Sequence, residues 1–316
     1  MKIIQSSKSE TLQNSVVTIG TFDGVHIGHQ KIIKRLIDTA KKEGLTSVVL
    51  TFFPHPRMVL QNDADIKLIN TIKERQDILD ALGLDYLFLK QFTKDFSRWS
   101  AEDFVQKLLV NQLNAKKVII GYDHHFGRNR SANIDDLKAF GEQYNFEVEE
   151  ISAQDVNDVS VSSTKIRKAL LEGDIATANS YLGYNFMLNG IVVKGKGLGK
   201  NIGYPTANLY IEETYKLIPK QGVYIVQSTI SNKRVYGMMN IGQNPTVNAS
   251  QNQNIEIHFF DFNRSIYNLE LKIELLVRIR DEKKFDSIET LSQQLEQDKI
   301  TSLAYIKNLD GNKFSF

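Results

Sequence analysis

Two histidines bracket a glycine in the run Gly20-Thr21-Phe22-Asp23-Gly24-Val25-His26-Ile27-Gly28-His29. An imidazole can donate a hydrogen bond, and glycine lets a backbone come close to a ligand. An apolar stretch, Val16 to Ile19, leads into the run, and an amphipathic pattern from Lys31 to Lys42 leads out. The spacing predicts that His26 and His29 stand where a strand ends and a helix begins. In an open parallel sheet that junction is the ligand crevice, and the helix N-terminus adds unpaired N–H groups and partial positive charge. Phosphate is the ligand that suits it. A glycine-rich turn with two solvated histidines is the plainer reading, and the flanking strand and helix count against it.

Three more segments fall at strand ends or helix starts. Thr51-Phe52-Phe53-Pro54-His55-Pro56 follows an apolar run, and its prolines end the strand and stiffen the loop. Gly121-Tyr122-Asp123-His124-His125-Phe126-Gly127 follows another. In Ser162-Ser163-Thr164-Lys165-Ile166-Arg167, hydroxyls open a helix and Arg167 lies one turn on. Five of the six histidines lie in these loops rather than on an apolar helix face. A metal reading of His55, His124 and His125 lacks any supporting spacing of outer partners. The segments together describe a nucleoside triphosphate pocket. His26 and His29 are its catalytic candidates, and Gly20, Thr21, Phe22, Asp23, Gly24, Gly28, Asp123, Ser163, Thr164 and Arg167 are its phosphate and nucleotide candidates. Neither a Walker loop nor a kinase catalytic loop occurs in this half.

The second half offers a different constellation. Lys194-Gly195-Lys196-Gly197-Leu198-Gly199-Lys200 alternates glycine with lysine, and Gly203-Tyr204-Pro205-Thr206-Ala207-Asn208 follows. A glycine-rich loop leaves N–H groups open to phosphate, and lysines neutralise it. This marks Lys194, Gly195, Gly197 and Lys200 for ATP. Thr206 and Asn208 present neutral oxygens two residues apart, suited to a hard cation such as Mg2+ that bridges substrate phosphates. A flexible basic hairpin is the alternative. Glu256 alternates with apolar neighbours in Ile255-Glu256-Ile257. It is either an exposed strand-face residue, which composition alone favours, or a carboxylate aimed into a barrel mouth.

The elements that must position these groups change in kind along the chain. Strands read at 16–19, 47–53, 84–90, 117–120 and 146–151, with helical spacing between them, which means a doubly wound parallel α/β sheet. Short helices follow at 163–171 and 174–182. From Met187 the runs are β-rich: 187–194, 222–230, 233–241, 255–262 and 269–280, with Ser231-Asn232 as a hairpin turn. They predict a small antiparallel β-barrel or sandwich, closed by a helix over 287–309. The boundary falls near Gly183-Tyr184, giving domains 1–183 and 184–316.

Composition sets the outer limits. At 316 residues two domains are expected, and 41% hydrophobic residues are enough for packed cores. Thirty-nine basic residues against 37 acidic ones leave a charge of +2, too balanced to argue for a nucleic-acid partner. With no cysteine, disulfides, thiolate zinc sites and cysteine nucleophiles are excluded. The N-terminus has no secretory pattern, and no run of about 18 apolar residues is present. These features predict a soluble, cytoplasmic protein without a membrane partner.

Both halves together resemble the bacterial bifunctional riboflavin kinase/FAD synthetase family. Gly20 to His29 is similar to its adenylyltransferase signature, Ser162 to Arg167 to its second phosphate-binding motif, and Thr51 to Pro56 to its Thr-Phe-x-Pro-His-Pro loop. Gly203 to Asn208, Gly222-Val223-Tyr224 and Asn240-Ile241-Gly242 with Pro245-Thr246 resemble the kinase motifs, and Glu256 falls at the family's catalytic carboxylate. The resemblance implies a nucleotidyltransferase-like α/β domain that adenylylates FMN to FAD and a barrel that phosphorylates riboflavin to FMN, each with its own ATP. It also implies flavin contacts at His55, Pro56, Asn240 and Arg280. The chain departs from the family pattern at His124-His125, where Phe-Arg is usual, at Lys200, commonly arginine, and at Asp281, frequently proline. The last predicts a looser flavin-side loop. Another His-x-Gly-His cofactor adenylyltransferase and a non-enzymatic flavin or nucleotide sensor are the rival readings. Near-neutral charge argues against a tRNA substrate, and a retained Glu256 argues against mere binding.

Overall fold

The structure, a computed structural model, describes residues 1–5, 12–61, 66–121, 124–151, 161–195, 199, 202–243 and 253–311. The chain divides into two compact units, Met1–Ser163 and Thr164–Phe316.

The first unit is a six-stranded parallel sheet. Its strands are β1 (Lys2–Gln5), β2 (Ser15–Ile19), β3 (Thr46–Phe53), β4 (Tyr86–Gln91), β5 (Ala115–Gly121) and β6 (Glu147–Ile151). Their order across the sheet is β1-β4-β3-β2-β5-β6. All five residues of β2 are buried, as a central parallel strand covered on both faces requires. Side chains alternate between two cores. Val17, Val48, Leu50, Val118 and Ile120 join one with Phe104, Val105, Leu108 and Leu137, while Val16, Val49 and Ile119 join the other with Ile33, Leu36, Ile37 and Leu79. Helices α1 (Ile27–Glu43), α2 (Pro56–Leu60) and α3 (Ile72–Ala81) are followed by α4 (Ala101–Phe104), which runs on as a π-helix over Val105–Val110, and α5 (Ile134–Tyr144). Helix α1 stops at Gly44, whose left-handed φ of 66° a side chain would resist. Because β2 is flanked by β3 and β5, the turn between β2 and α1 lies where the strand order reverses.

The second unit is a closed antiparallel barrel in the order β10-β11-β8-β7-β12-β9. Its strands are β7 (Met187–Val193), β8 (Ala207–Tyr210), β9 (Gly222–Ile230), β10 (Lys233–Gln243), β11 (Gln253–Phe259) and β12 (Glu270–Arg280). Ser231 and Asn232 both take positive φ, 51° and 61°, as a two-residue hairpin turn demands. Helices α6 (Ser163–Glu172) and α7 (Ile175–Leu182) precede the barrel, and α8 (Ile288–Gly311) follows it. Ile306, Leu295 and Tyr305 of α8 pack on Ile225, Met238 and Leu276.

The break between units comes earlier than the Gly183-Tyr184 junction expected from the change in pattern. Helices α6 and α7 are tied to the barrel by backbone and amide bonds. Lys220 N donates to Leu170 O, Asn179 Nδ2 to Leu275 O, and Phe186 N to Asn179 Oδ1. Strands β1 and β8, each only four residues long, were not legible as strands.

Candidate active sites

The turn between β2 and α1 is built from unusual backbone. Phe22, Gly24 and Val25 have φ of 46°, 88° and 33°, and the strain must be held by what surrounds them. His26 caps α1, its Nδ1 accepting from His29 N at 3.3 Å. That bond places the His26 proton on Nε2. The two rings stack at 3.6 Å between centroids, and Phe22 meets His29 edge-on at 5.2 Å. Two imidazolium ions cannot share that spacing away from water. Burial lowers His26 to a pKa of about 4, although the Asp23 charge opposes it. Burial, then His26 and the Arg75 guanidinium, push His29 well below the ordinary histidine value. At neutral pH both rings are therefore uncharged donors at a helix N-terminus. His29 Nδ1 is buried without a hydrogen-bond partner among the described residues.

The low pKa has a consequence for stability. An unfolded chain's imidazole titrates near 6.5, so between about 4 and 6.5 the unfolded state binds more protons. Stability is full above that window and falls as pH drops through it, by about 3 kcal/mol for His26. The thermal midpoint should fall more steeply with acid in the wild type than in His26→Asn, which keeps a cap but has no titrating ring. Equal slopes would remove His26 as the cause.

Asp23 is buried, and its carboxylate accepts from Ile69 N at 3.0 Å and Asn70 N at 3.2 Å, with Arg75 3.7 Å away. Its backbone carbonyl accepts from Ser163 Oγ at 2.9 Å, which ties Ser163 to the signature loop. Thr164 is exposed and Arg167 half-buried on α6, and Gly28 is buried in the first turn of α1. Gly20 sits under the Phe22 ring, which an added Cβ would approach to 3.0 Å. Thr21 O accepts from Thr51 Oγ1 at 3.1 Å. His55 caps α2, its Nδ1 accepting from Arg57 N, and Pro56 opens that helix. His124 is half-buried and His125 exposed. Asp123 lies outside the described residues.

In the second unit the register brings Glu256 into company that spacing alone could not show. Glu256 stands opposite Asn240 on β10 and opposite Asn208 on β8. Its Oε1 accepts from Asn254 Nδ2 at 2.6 Å, and Thr206 Oγ1 lies 3.4 Å from Oε2. Ile255 and Ile257 are buried on the other face of β11, whereas Glu256 shares its face with His258 and, across the strand pair, Met238, which α8 covers. The carboxylate thus has one hydroxyl and three amide side chains around it. An added Cβ at Gly195 would stand 2.0 Å from Asn208 Nδ2, so the lysine–glycine loop comes against the Asn208 amide only because residue 195 has no side chain. Lys194 is exposed. Gly197, Lys200, Pro245 and Thr246 lie outside the described residues.

Arg280 is spent on the fold. Its Nε and Nη2 grip the buried Asp298 carboxylate of α8 at 2.6–3.0 Å, which pins that helix to β12. This clamp is the role the structure gives the guanidinium from which flavin contact was expected. Asp281 accepts from Arg278 Nη2 at 2.5 Å and lies 3.7 Å from Lys220, so the loop expected to be loose is tethered by charge. The sequence reading also missed the support of the Thr206 turn: His258 Nδ1 donates to Pro205 O at 2.9 Å, and Tyr204 donates to Glu296. No local signal announced these partners.

The FAD synthetase family profile matches residues 8–165, and the riboflavin kinase profile matches residues 182–306. The bifunctional riboflavin kinase/FMN adenylyltransferase of Listeria monocytogenes is 37% identical over 298 residues, covering 94% of each chain. The enzyme of the same description from Bacillus subtilis is 36% identical over 307 residues, covering 95% of each. A crystal structure from Streptococcus pneumoniae described as a macrolide-efflux protein superposes with a TM-score of 0.85 and 32% identity, covering 95% of this chain and 98% of that one. Among the described residues here, no helix is long and apolar enough to cross a membrane.

Proposed function

The chain belongs to the bifunctional riboflavin kinase/FMN adenylyltransferase family, enzymes that make FMN from riboflavin and FAD from FMN, and we propose the following division of that work among its residues. Riboflavin is phosphorylated on the barrel. Glu256 takes the proton of the ribityl 5′-hydroxyl, whose oxygen bonds to the γ-phosphorus of ATP as ADP leaves. Asn254 and Thr206 orient the carboxylate. Asn240 meets the flavin side, and Lys194 with the glycine loop carries the nucleotide phosphates. Thr206 and Asn208 offer neutral oxygens beside one carboxylate, a donor set that fits a hard cation completing its shell from phosphate and water. Bound there, Mg2+ would offset charge on the transferring phosphoryl group.

In the first unit a phosphate oxygen of FMN bonds to the α-phosphorus of a second ATP, and pyrophosphate leaves. His26 and His29 donate to that centre as neutral imidazoles, together with N–H groups at the start of α1. Asp23 and Ser163 hold the loop. The catalytic division along the chain lies at Gly183-Tyr184, with α6 and α7 serving as supports of the barrel. The cysteine-free sequence suits a reducing cytoplasm.

The observation that carries this reading is Glu256 standing between Asn208 and Asn240 beside Thr206. Purified protein incubated with riboflavin, ATP and Mg2+ should yield FMN and then FAD, resolved by chromatography. FMN without FAD, or neither, would overturn the two-step assignment.

A further inference from the structure

Arg75 is the largest of the fully buried side chains among the described residues, and nothing in the reaction described above uses it. A buried guanidinium is costly unless paired, and breaking such a pair leaves an uncompensated charge. Two of its side-chain contacts lead to the signature loop. Nη2 lies 3.7 Å from Asp23 Oδ1, and Nη1 donates to Thr51 Oγ1 at 3.3 Å. Thr51 in turn donates to Thr21 O at 3.1 Å. One side chain from α3 therefore touches both the carboxylate at the centre of the loop and, through one hydroxyl, the backbone where the loop begins. The stretch it holds is the one with left-handed φ at Phe22, Gly24 and Val25.

We propose that Arg75 is a positioning residue for FAD formation, holding the Thr21–Val25 turn so that His26 and His29 present N–H groups to the reacting phosphates. The proposal rests on the adenylyltransferase reading of this site. Among the described residues, the charged or titratable groups that act on His29 are His26, stacked on it from the start of α1, and Arg75 from α3; Asp23 belongs to the same turn, and Glu74, also on α3, is engaged by Thr71 N. Burial, then His26, hold His29 below its ordinary pKa, and the Arg75 guanidinium adds to them, a contribution distinct from its hydrogen bonds.

Two substitutions separate charge from geometry, assayed in the full chain as FAD formation from supplied FMN across pH 5 to 8. Arg75→Lys keeps the charge and loses the two-pronged grip. Its kcat should fall about tenfold, with KM for FMN little changed and a pH profile of wild-type shape. Arg75→Gln also removes the charge. Its kcat should fall further, and the acid limb of its profile should move toward neutral pH because His29 protonates more readily. Phosphorylation of riboflavin should stay at wild-type rate in both. If Arg75→Gln unfolds the first unit, seen as a lost thermal transition, Thr51→Val decides: it removes the link to Thr21 without unpairing a charge, and should lower kcat severalfold. Wild-type kcat in Arg75→Lys and Thr51→Val would overturn the proposal, as would an unmoved acid limb in a folded Arg75→Gln. A wild-type chain that makes no FAD would instead overturn the reading on which it rests.

Discussion

Glu256→Gln is expected to bind riboflavin and ATP yet turn over riboflavin at least a hundredfold more slowly than the wild type. The amide keeps the size of the carboxylate and can still accept from Asn254, but it takes no proton. Loss of a positioned base typically costs about a hundredfold to ten-thousandfold. The phosphoryl group passes through a loose transition state, which sets the effect toward the lower end of that range. FAD formation from supplied FMN should be unchanged, because the histidines assigned to that step lie in the first unit. Initial rates of FMN and FAD production, measured separately, decide it. Full kinase activity would return Glu256 to the role of a polar strand-face residue held by Asn254.

His29→Ala reverses the pattern. FAD formation should fall by about a hundredfold to a thousandfold, the usual loss when one fixed donor to a developing charge is removed. Riboflavin phosphorylation should persist. The ring does two things in the structure, stacking on His26 at 3.6 Å and leaving a buried Nδ1 without a hydrogen-bond partner among the described residues. His29→Asn restores a donor without the stack, so a partial return of rate in that variant identifies hydrogen bonding as the main contribution. Parallel loss of both activities in His29→Ala would mean global misfolding. Near-wild-type FAD formation would leave His26 and the N–H groups of α1 to stabilise the transition state alone.

The local parts of both sites were legible because local rules govern them. A run of four β-branched or apolar residues followed by glycines and an amphipathic pattern can hardly be anything but strand, turn and helix, and β2 and α1 are found there. Ser231-Asn232 suits only a tight hairpin, and both residues take the left-handed conformation. Where local rules gave two answers, the reading stayed double. Glu256 on an alternating strand could face solvent or a site, since alternation says which residues share a face but not what covers it.

Residue types and periodicity by themselves determined the two-domain organisation, the parallel sheet, the β-rich second half and the positions of the glycine-rich turns. Pairing between distant segments decided the rest. The partners of the Asp23 carboxylate, Ile69 N, Asn70 N and Arg75, come from a segment 46 and more residues away. Arg280 finds Asp298 only because α8 packs beside β12. Glu256 meets Asn208 and Asn240 only through barrel register, and a shift of one residue would turn it to the opposite face. A charged side chain declares its chemistry in the sequence, but its partner is chosen by which chain segments the cores bring together. Burial then makes that choice binding, because a charge or polar atom inside the protein must be paired where it lies.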